Sequence, residues 1–158
     1  MDLYRIAKTA YIRDLSGAGP RRYGGRWNHK GTAVVYAAES RSLATLEYLV
    51  HVPLPYEPLD LSVATILVPD DASVEQIGVR RLPRDWSRFP SPSRLADLGT
   101  DWARRNKSLL LRVPSAVVDD EFNVIINPAH PEMSAVRIRD VRPYAFDERL
   151  FRRSKREA

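Results

Sequence analysis

The chain has 158 residues, 44% of them hydrophobic, with 25 Lys/Arg, 20 Asp/Glu and no cysteine. One folded domain with one core is expected, and disulfides, thiolate catalysis and cysteine-bound metal are excluded. The excess charge is concentrated in RLFRRSKREA at 149–158, with five bases and one acid; the remainder holds 20 bases and 19 acids, which gives little sign of a basic face built for nucleic acid.

Twelve prolines cut the chain into short elements. Leu3 to Ala7 reads as a first strand. Residues 15–31 are rich in Gly and Arg and read as a loop. Thr32 to Ala38, TAVVYAA, is a short β-branched run that predicts a buried strand. Ser40 to His51 predicts a helix, with Ser40 or Ser42 able to cap it, and VPLPYEP then breaks the chain. Ser62 to Val68 predicts another buried strand, and PDDASVEQIG a turn and a short helix. Ser91 to Asn106 predicts a helix with Pro92 near its first turn. LLLRV (109–113), NVIIN (123–127) and the alternating AVRIRDV (135–141) predict strands. The mixture points to an α+β domain with a central sheet. The basic tail is expected to be a solvated end, with weak contact to an acidic partner as the other reading. The N-terminal MDLYRIAKTAYIRD is charged throughout, and no apolar run approaches the ~20 residues that cross a bilayer. A reducing cytoplasm is the expected location.

Glu47 is the most informative residue of the first long helix. At about 100° per residue, Leu43, Leu46 and Val50 form an apolar stripe, and Glu47 lies on its flank. A carboxylate in that position is at the rim of the core or lines a cleft. Buried without a partner it would cost several kcal/mol or neutralise, and Arg26 is the candidate partner, in a structural ion pair or across a site. In YGGRWNHKG, Gly24 and Gly25 allow unusual backbone angles and close approach by a ligand. Arg26 offers a planar fork for phosphate or carboxylate, Trp27 is a core plug or a site aromatic, and Asn28 is a turn residue or a contact. Neither a GxxxxGK[ST] loop nor a GxGxxG fingerprint occurs. Ser115 follows Pro114 at a strand end, outside any GxSxG elbow, and reads as a turn serine or a cleft hydroxyl. Asn123 and Asn127 share one strand face, and Tyr36 reads as a core aromatic with a bonded hydroxyl. His29, His51 and His130 are too scattered to support a metal site.

Taken together, LYRIA, GGRWNHKGTAVVYAAESRSLATLEYLVH and VPSAVVDDEFNVIINPAHP resemble the RES domain family over about residues 2–146. The family is named for an arginine, a glutamate and a serine; the matching residues are Arg26, Glu47 and Ser115. The resemblance implies a RES domain at 1–148, followed by the basic tail at 149–158. It implies an ADP-ribosyltransferase-like fold: a split, mostly antiparallel sheet with flanking helices and a cleft for NAD. It also implies a bacterial toxin of a type II toxin–antitoxin pair that cleaves the nicotinamide–ribose bond and arrests growth. Its partner would be an Xre-like helix-turn-helix antitoxin that blocks the cleft, and DNA would be reached only through that antitoxin. NAD would be substrate, with no cofactor or metal and with phosphate as a possible co-substrate.

On that resemblance Arg26, Tyr36, Glu47 and Ser115 are the expected catalytic residues, and Arg26, Asn28, Tyr36, Ser115 and Asn123 the expected NAD contacts. Arg26 would grip the pyrophosphate or a ribose, Glu47 would face the ribose as it turns cationic, and Ser115 would fix Glu47 without acting as a nucleophile. Three other readings stay open: a protein ADP-ribosyltransferase, an inactive NAD-binding relative in which Arg26 and Glu47 are only an ion pair, and a nucleic-acid-cleaving toxin, which the near-neutral body disfavours. The acids of VDDEFN would either repel anionic ligands or face solvent.

Overall fold

A computed structural model describes residues 1–53 and 55–151. Seven strands form one sheet in the order β4-β5-β6-β2-β1-β3-β7. They are β1 (Asp2–Lys8), β2 (Val35–Ala38), β3 (Leu61–Leu67), β4 (Val74–Gln76), β5 (Leu110–Pro114), β6 (Phe122–Ile126) and β7 (Arg137–Tyr144). Every pairing is antiparallel except β4 with β5. The sheet is mostly antiparallel and split, as the resemblance implies: β1 runs beside β3 over seven residue pairs but meets β2 at the single pair Tyr4–Ala38. Two half-sheets, β4-β5-β6-β2 and β1-β3-β7, therefore meet at one rung.

Alternation along the strands sorts the core into two layers. Leu3, Val35, Ala37, Ile66, Leu110, Val124 and Ile126 pack together on one face. On the other face two clusters lie side by side. Helix α3 (Ser93–Arg105) sets Leu95, Trp102 and Ala103 against Leu111, Val113 and Ile125 of the first half-sheet. Helix α2 (Arg41–Leu49) sets Leu43 and Ala44 against Ile6, Leu61 and Val63 of the second. Both helices thus cover the same face, one per half-sheet, and the strand residues between them form the floor of a cleft.

Most predicted elements are present with shifted ends, and three expectations need correction. The loop at 15–31 contains a short helix, α1 (Ala18–Tyr23), closed by Gly24 at φ 75°. The region expected to hold a short helix after Val68 holds instead the edge strand β4. Its pairing is set from outside: Leu110 N–H donates to the Ser73 carbonyl, and Glu132 accepts from Ser73 N–H and Oγ. Of the two expected caps, Ser40 closes α2, accepting from Leu43 N–H at 3.0 Å. The stripe on α2 is also displaced, since Leu46 and Val50 are 40% and 55% exposed. The inward face runs between Leu43 and Ala44, and continuing it by one turn reaches Glu47 itself. At the chain end, Phe151 still packs edge-on against Phe146 with ring centroids 5.8 Å apart. Residues 152–158 of the basic tail lie outside the described residues.

Candidate active site in the cleft between the helices

The arginine wall is built by backbone geometry. Gly25 and Asn28 exchange main-chain bonds, Gly25 N–H to Asn28 O at 2.9 Å and Asn28 N–H to Gly25 O at 3.4 Å, so Arg26 and Trp27 occupy the tip of a tight turn. Trp27 enters the core at 2% exposure. Its carbonyl passes so close to α3 that a Cβ on Gly99 would stand 1.9 Å from it. Thr100 Oγ1 accepts from His29 N–H at 2.9 Å, and Asp97 bonds the His29 ring, which fastens the turn to the helix.

Asn28 is 1% exposed. Its amide donates to the carbonyls of Pro20, His29 and Thr32, and its oxygen accepts from the Tyr36 hydroxyl at 2.7 Å. It clasps the loop, one of its two expected roles, and lines neither lobe of the cavity described below. The Tyr36 hydroxyl in turn accepts from Trp27 N–H at 3.0 Å. Burial raises its pKa, against the opposing pull of Trp27 N–H and Arg26, so the phenol is a neutral brace. Its ring lines the cavity. A Cβ on Gly25 would fall 2.7 Å from that hydroxyl, so this glycine makes room for Tyr36, and both Gly24 and Gly25 line the cavity.

Arg26 turns the other way, into the cleft. One Nη1–H donates to the Trp86 carbonyl at 2.7 Å. Its pKa is lowered by burial, with Glu47 and Tyr36 pulling it back up.

Glu47 is set by side chains. Its Oε1 accepts from the Ser115 hydroxyl at 2.7 Å and from the Asn123 amide. Among the described residues Oε2 has no partner. Ser115 is 3% exposed, and its Oγ accepts from Val117 N–H and Val118 N–H, both at 3.0 Å. With both acceptor positions filled, its proton can only go to Glu47. Ser115 is therefore a positioning residue held behind the wall: of its two expected partners, the ligand or Glu47, it bonds Glu47. Arg26 and Glu47 make no ion pair, contrary to the structural alternative. They act on each other across a cavity that both line.

That cavity measures about 810 Å³, within the range of small-molecule sites. Arg26, Tyr36, Glu47 and Asn123 line it, with Tyr23 and Phe89 at its sides. A second lobe of about 510 Å³ adjoins it, lined by Tyr4, Ile6, Ala44, Tyr48 and Tyr56. The lobes share Tyr36, Glu47, His51 and Asn123. Asn127 lies elsewhere, bonding the Ala103 carbonyl at the end of α3. Asp119, Asp120 and Glu121 are exposed and line neither lobe. Among the described residues no three acidic or histidine side chains gather in a metal-binding group. No helix there is long and apolar enough to cross a membrane.

Sequence reading missed three parts of the site: the Trp86 carbonyl, the clamp on α3 and the seam position of His51. Only the last left a signal, because His51 is four residues after Glu47 and shares its helix face.

A profile of the RES domain matches residues 2–147. The chain belongs to the RES domain family. Among its curated relatives, the Prs ADP-ribosylating toxin of Sphingobium sp. (strain YBL2) is 42% identical over 150 residues, covering 94% of this chain and 93% of that protein. Toxin Res of Yersinia enterocolitica is 38% identical over 153 residues, covering 95% and 99%. Among solved structures, the M. tuberculosis MbcT–MbcA toxin–antitoxin complex contains a similar chain, with TM-score 0.71 and 19% identity over 95% of this chain and 86% of that one. At that identity the likeness speaks for the fold. Of the three residues in the RES name, Arg26 and Glu47 line one cavity and Ser115 holds the second of them.

Proposed function

We propose that this RES domain protein is an NAD-consuming toxin of a type II toxin–antitoxin pair, acting in the cytoplasm on the bond between nicotinamide and ribose. The observation that carries the reading is the pair of opposite charges, Arg26 and Glu47, on one cavity and out of contact. A mere ion pair would be closed, whereas here each charge retains capacity for a ligand. Arg26 suits the pyrophosphate, through charge-assisted bonds to a planar fork. Glu47 has one oxygen anchored and the other without a protein partner, which suits a ribose hydroxyl.

In the reaction the C1–N bond of the ribose breaks, its electron pair goes to the ring nitrogen, and nicotinamide leaves neutral. No strong acid is needed. The sugar becomes oxocarbenium-like, and the nearby carboxylate favours that state over the ground state. Ser115 and Asn123 hold the carboxylate at a fixed angle so that little reorganisation remains. ADP-ribose then passes to an acceptor. Transfer to a protein side chain is favoured over hydrolysis or phosphorolysis by the 42%-identical relative whose name is that of an ADP-ribosylating toxin. An Xre-like antitoxin segment covering the cleft would silence the enzyme.

The test is release of nicotinamide from NAD by the purified protein. Glu47→Gln keeps the shape and the acceptor for Ser115 and should lower the rate by at least ~100-fold without loss of fold. Arg26→Ala should weaken NAD binding by about 10- to 100-fold, the worth of lost charged hydrogen bonds, as read by calorimetry. A Glu47→Gln protein that releases nicotinamide at the native rate would sink the reading.

A further inference from the structure

His51 is the group at the seam that the reading above leaves without work. It projects from the end of α2, one turn beyond Glu47, and lines both lobes. Its backbone N–H bonds the Tyr48 carbonyl, but among the described residues its imidazole has no hydrogen bond or ion pair. The carboxylate beside it is already committed: Oε1 is held by Ser115 and Asn123, and the other oxygen is needed at the ribose.

The smaller lobe has a definite chemical character. Tyr4, Ile6, Ala44, Tyr48 and Tyr56 make it mainly apolar, and two carboxylates, Glu47 and Glu57, line it. Its guanidinium, Arg5, already donates to the Asp14 carbonyl and has the Asp14 carboxylate beside it. Such a lobe is unfavourable for a phosphate dianion, which needs uncompensated cations and donors. It suits an uncharged nucleophile carried on an apolar segment. An uncharged nucleophile must also lose a proton as it bonds to carbon, which phosphate need not do.

Resting on the NAD reading, we propose that the smaller lobe admits the acceptor, an uncharged hydroxyl or water rather than phosphate, and that His51 takes its proton. In the balanced step the acceptor oxygen forms the bond to ribose C1 as nicotinamide departs with the C–N electron pair. The acceptor proton goes to the imidazole and from there to solvent. His51 is then a general base one helical turn from the carboxylate that steadies the sugar.

The test uses the full-length protein, NAD and water as acceptor. His51→Ala should lower nicotinamide release on the order of 100-fold while leaving NAD affinity by calorimetry and the unfolding midpoint near native. Free imidazole should restore part of the rate in His51→Ala and none in Glu47→Gln. Inorganic phosphate added to the native protein should leave the rate unchanged and yield ADP-ribose, with no ADP-ribose 1-phosphate. A His51→Ala protein as fast as native, a slow one that imidazole does not revive, or a phosphorylated product would each overturn this inference alone. A native protein that releases no nicotinamide would overturn the functional reading beneath it.

Discussion

The two walls of the cleft hold their charges by different means. Arg26 is placed by main chain: a turn closed by Gly25 and Asn28, a buried amide that gathers three carbonyls, and a helix glycine that lets Trp27 press against α3. Its own side chain makes one bond, to the Trp86 carbonyl. Glu47 sits on a regular helix that requires nothing unusual of its backbone, and its direction is fixed by the side chains of Ser115 and Asn123. The arginine wall is thus a matter of folding, and the glutamate wall a matter of orientation. Damage to the supports should register as lost stability on the first wall and as lost turnover on the second.

Three variants sharpen or break that contrast. Asn28→Ala should have the largest effect, because it strands three buried carbonyls and the Tyr36 hydroxyl. A loss of roughly 2–3 kcal/mol in urea unfolding is expected, with NAD affinity falling as a consequence. Native stability in that variant would mean the clasp is dispensable. Ser115→Ala should be intermediate, lowering kcat about 10-fold while NAD binding holds, because Glu47 keeps Asn123 but loses its second donor. Some stability, about 1 kcal/mol, goes with the acceptor lost to Val117 and Val118 N–H. A change in NAD affinity with unchanged kcat would reverse the assignment of the two walls. Asp119→Asn with Asp120→Asn should be the smallest, less than about twofold in nicotinamide release, since exposed charges outside the lobes are screened. A large gain in that double variant would show that the acidic loop does repel the ligand.

The convergence of Arg26, Glu47 and Ser115 was legible through the resemblance to the RES family, since residue pattern alone left each open to a structural reading. What the sequence left hidden follows a physical rule. Periodicity says that one face of a helix is apolar, but it does not distinguish a face turned to the core from one turned to a cleft. Leu46 and Val50 were therefore assigned inward, while Glu47 occupies the inward line. The short run at 74–76 reads poorly as a strand because it is fixed by Ser73, Leu110 and Glu132, all remote or external to it. Asn28 and Ser115 looked like ligand contacts because a polar residue in a motif carries no mark of whether water or the interior will satisfy it. Their burial and complete bonding place both one layer behind the surface.

The single rung between β1 and β2 gives the bonds around Glu47 a second duty. Glu47 travels with α2, whose Leu43 and Ala44 rest on Ile6, Leu61 and Val63 of one half-sheet, while Ser115, just past the end of β5, and Asn123 of β6 belong to the other. The hydrogen bonds that aim the carboxylate are therefore also stitches across the open joint of the molecule. On the opposite face Leu3 and Ile66 pack with Val35, Leu110 and Val124 across the same joint, so these bonds secure the cleft side, where the gap between the guanidinium and the carboxylate is set.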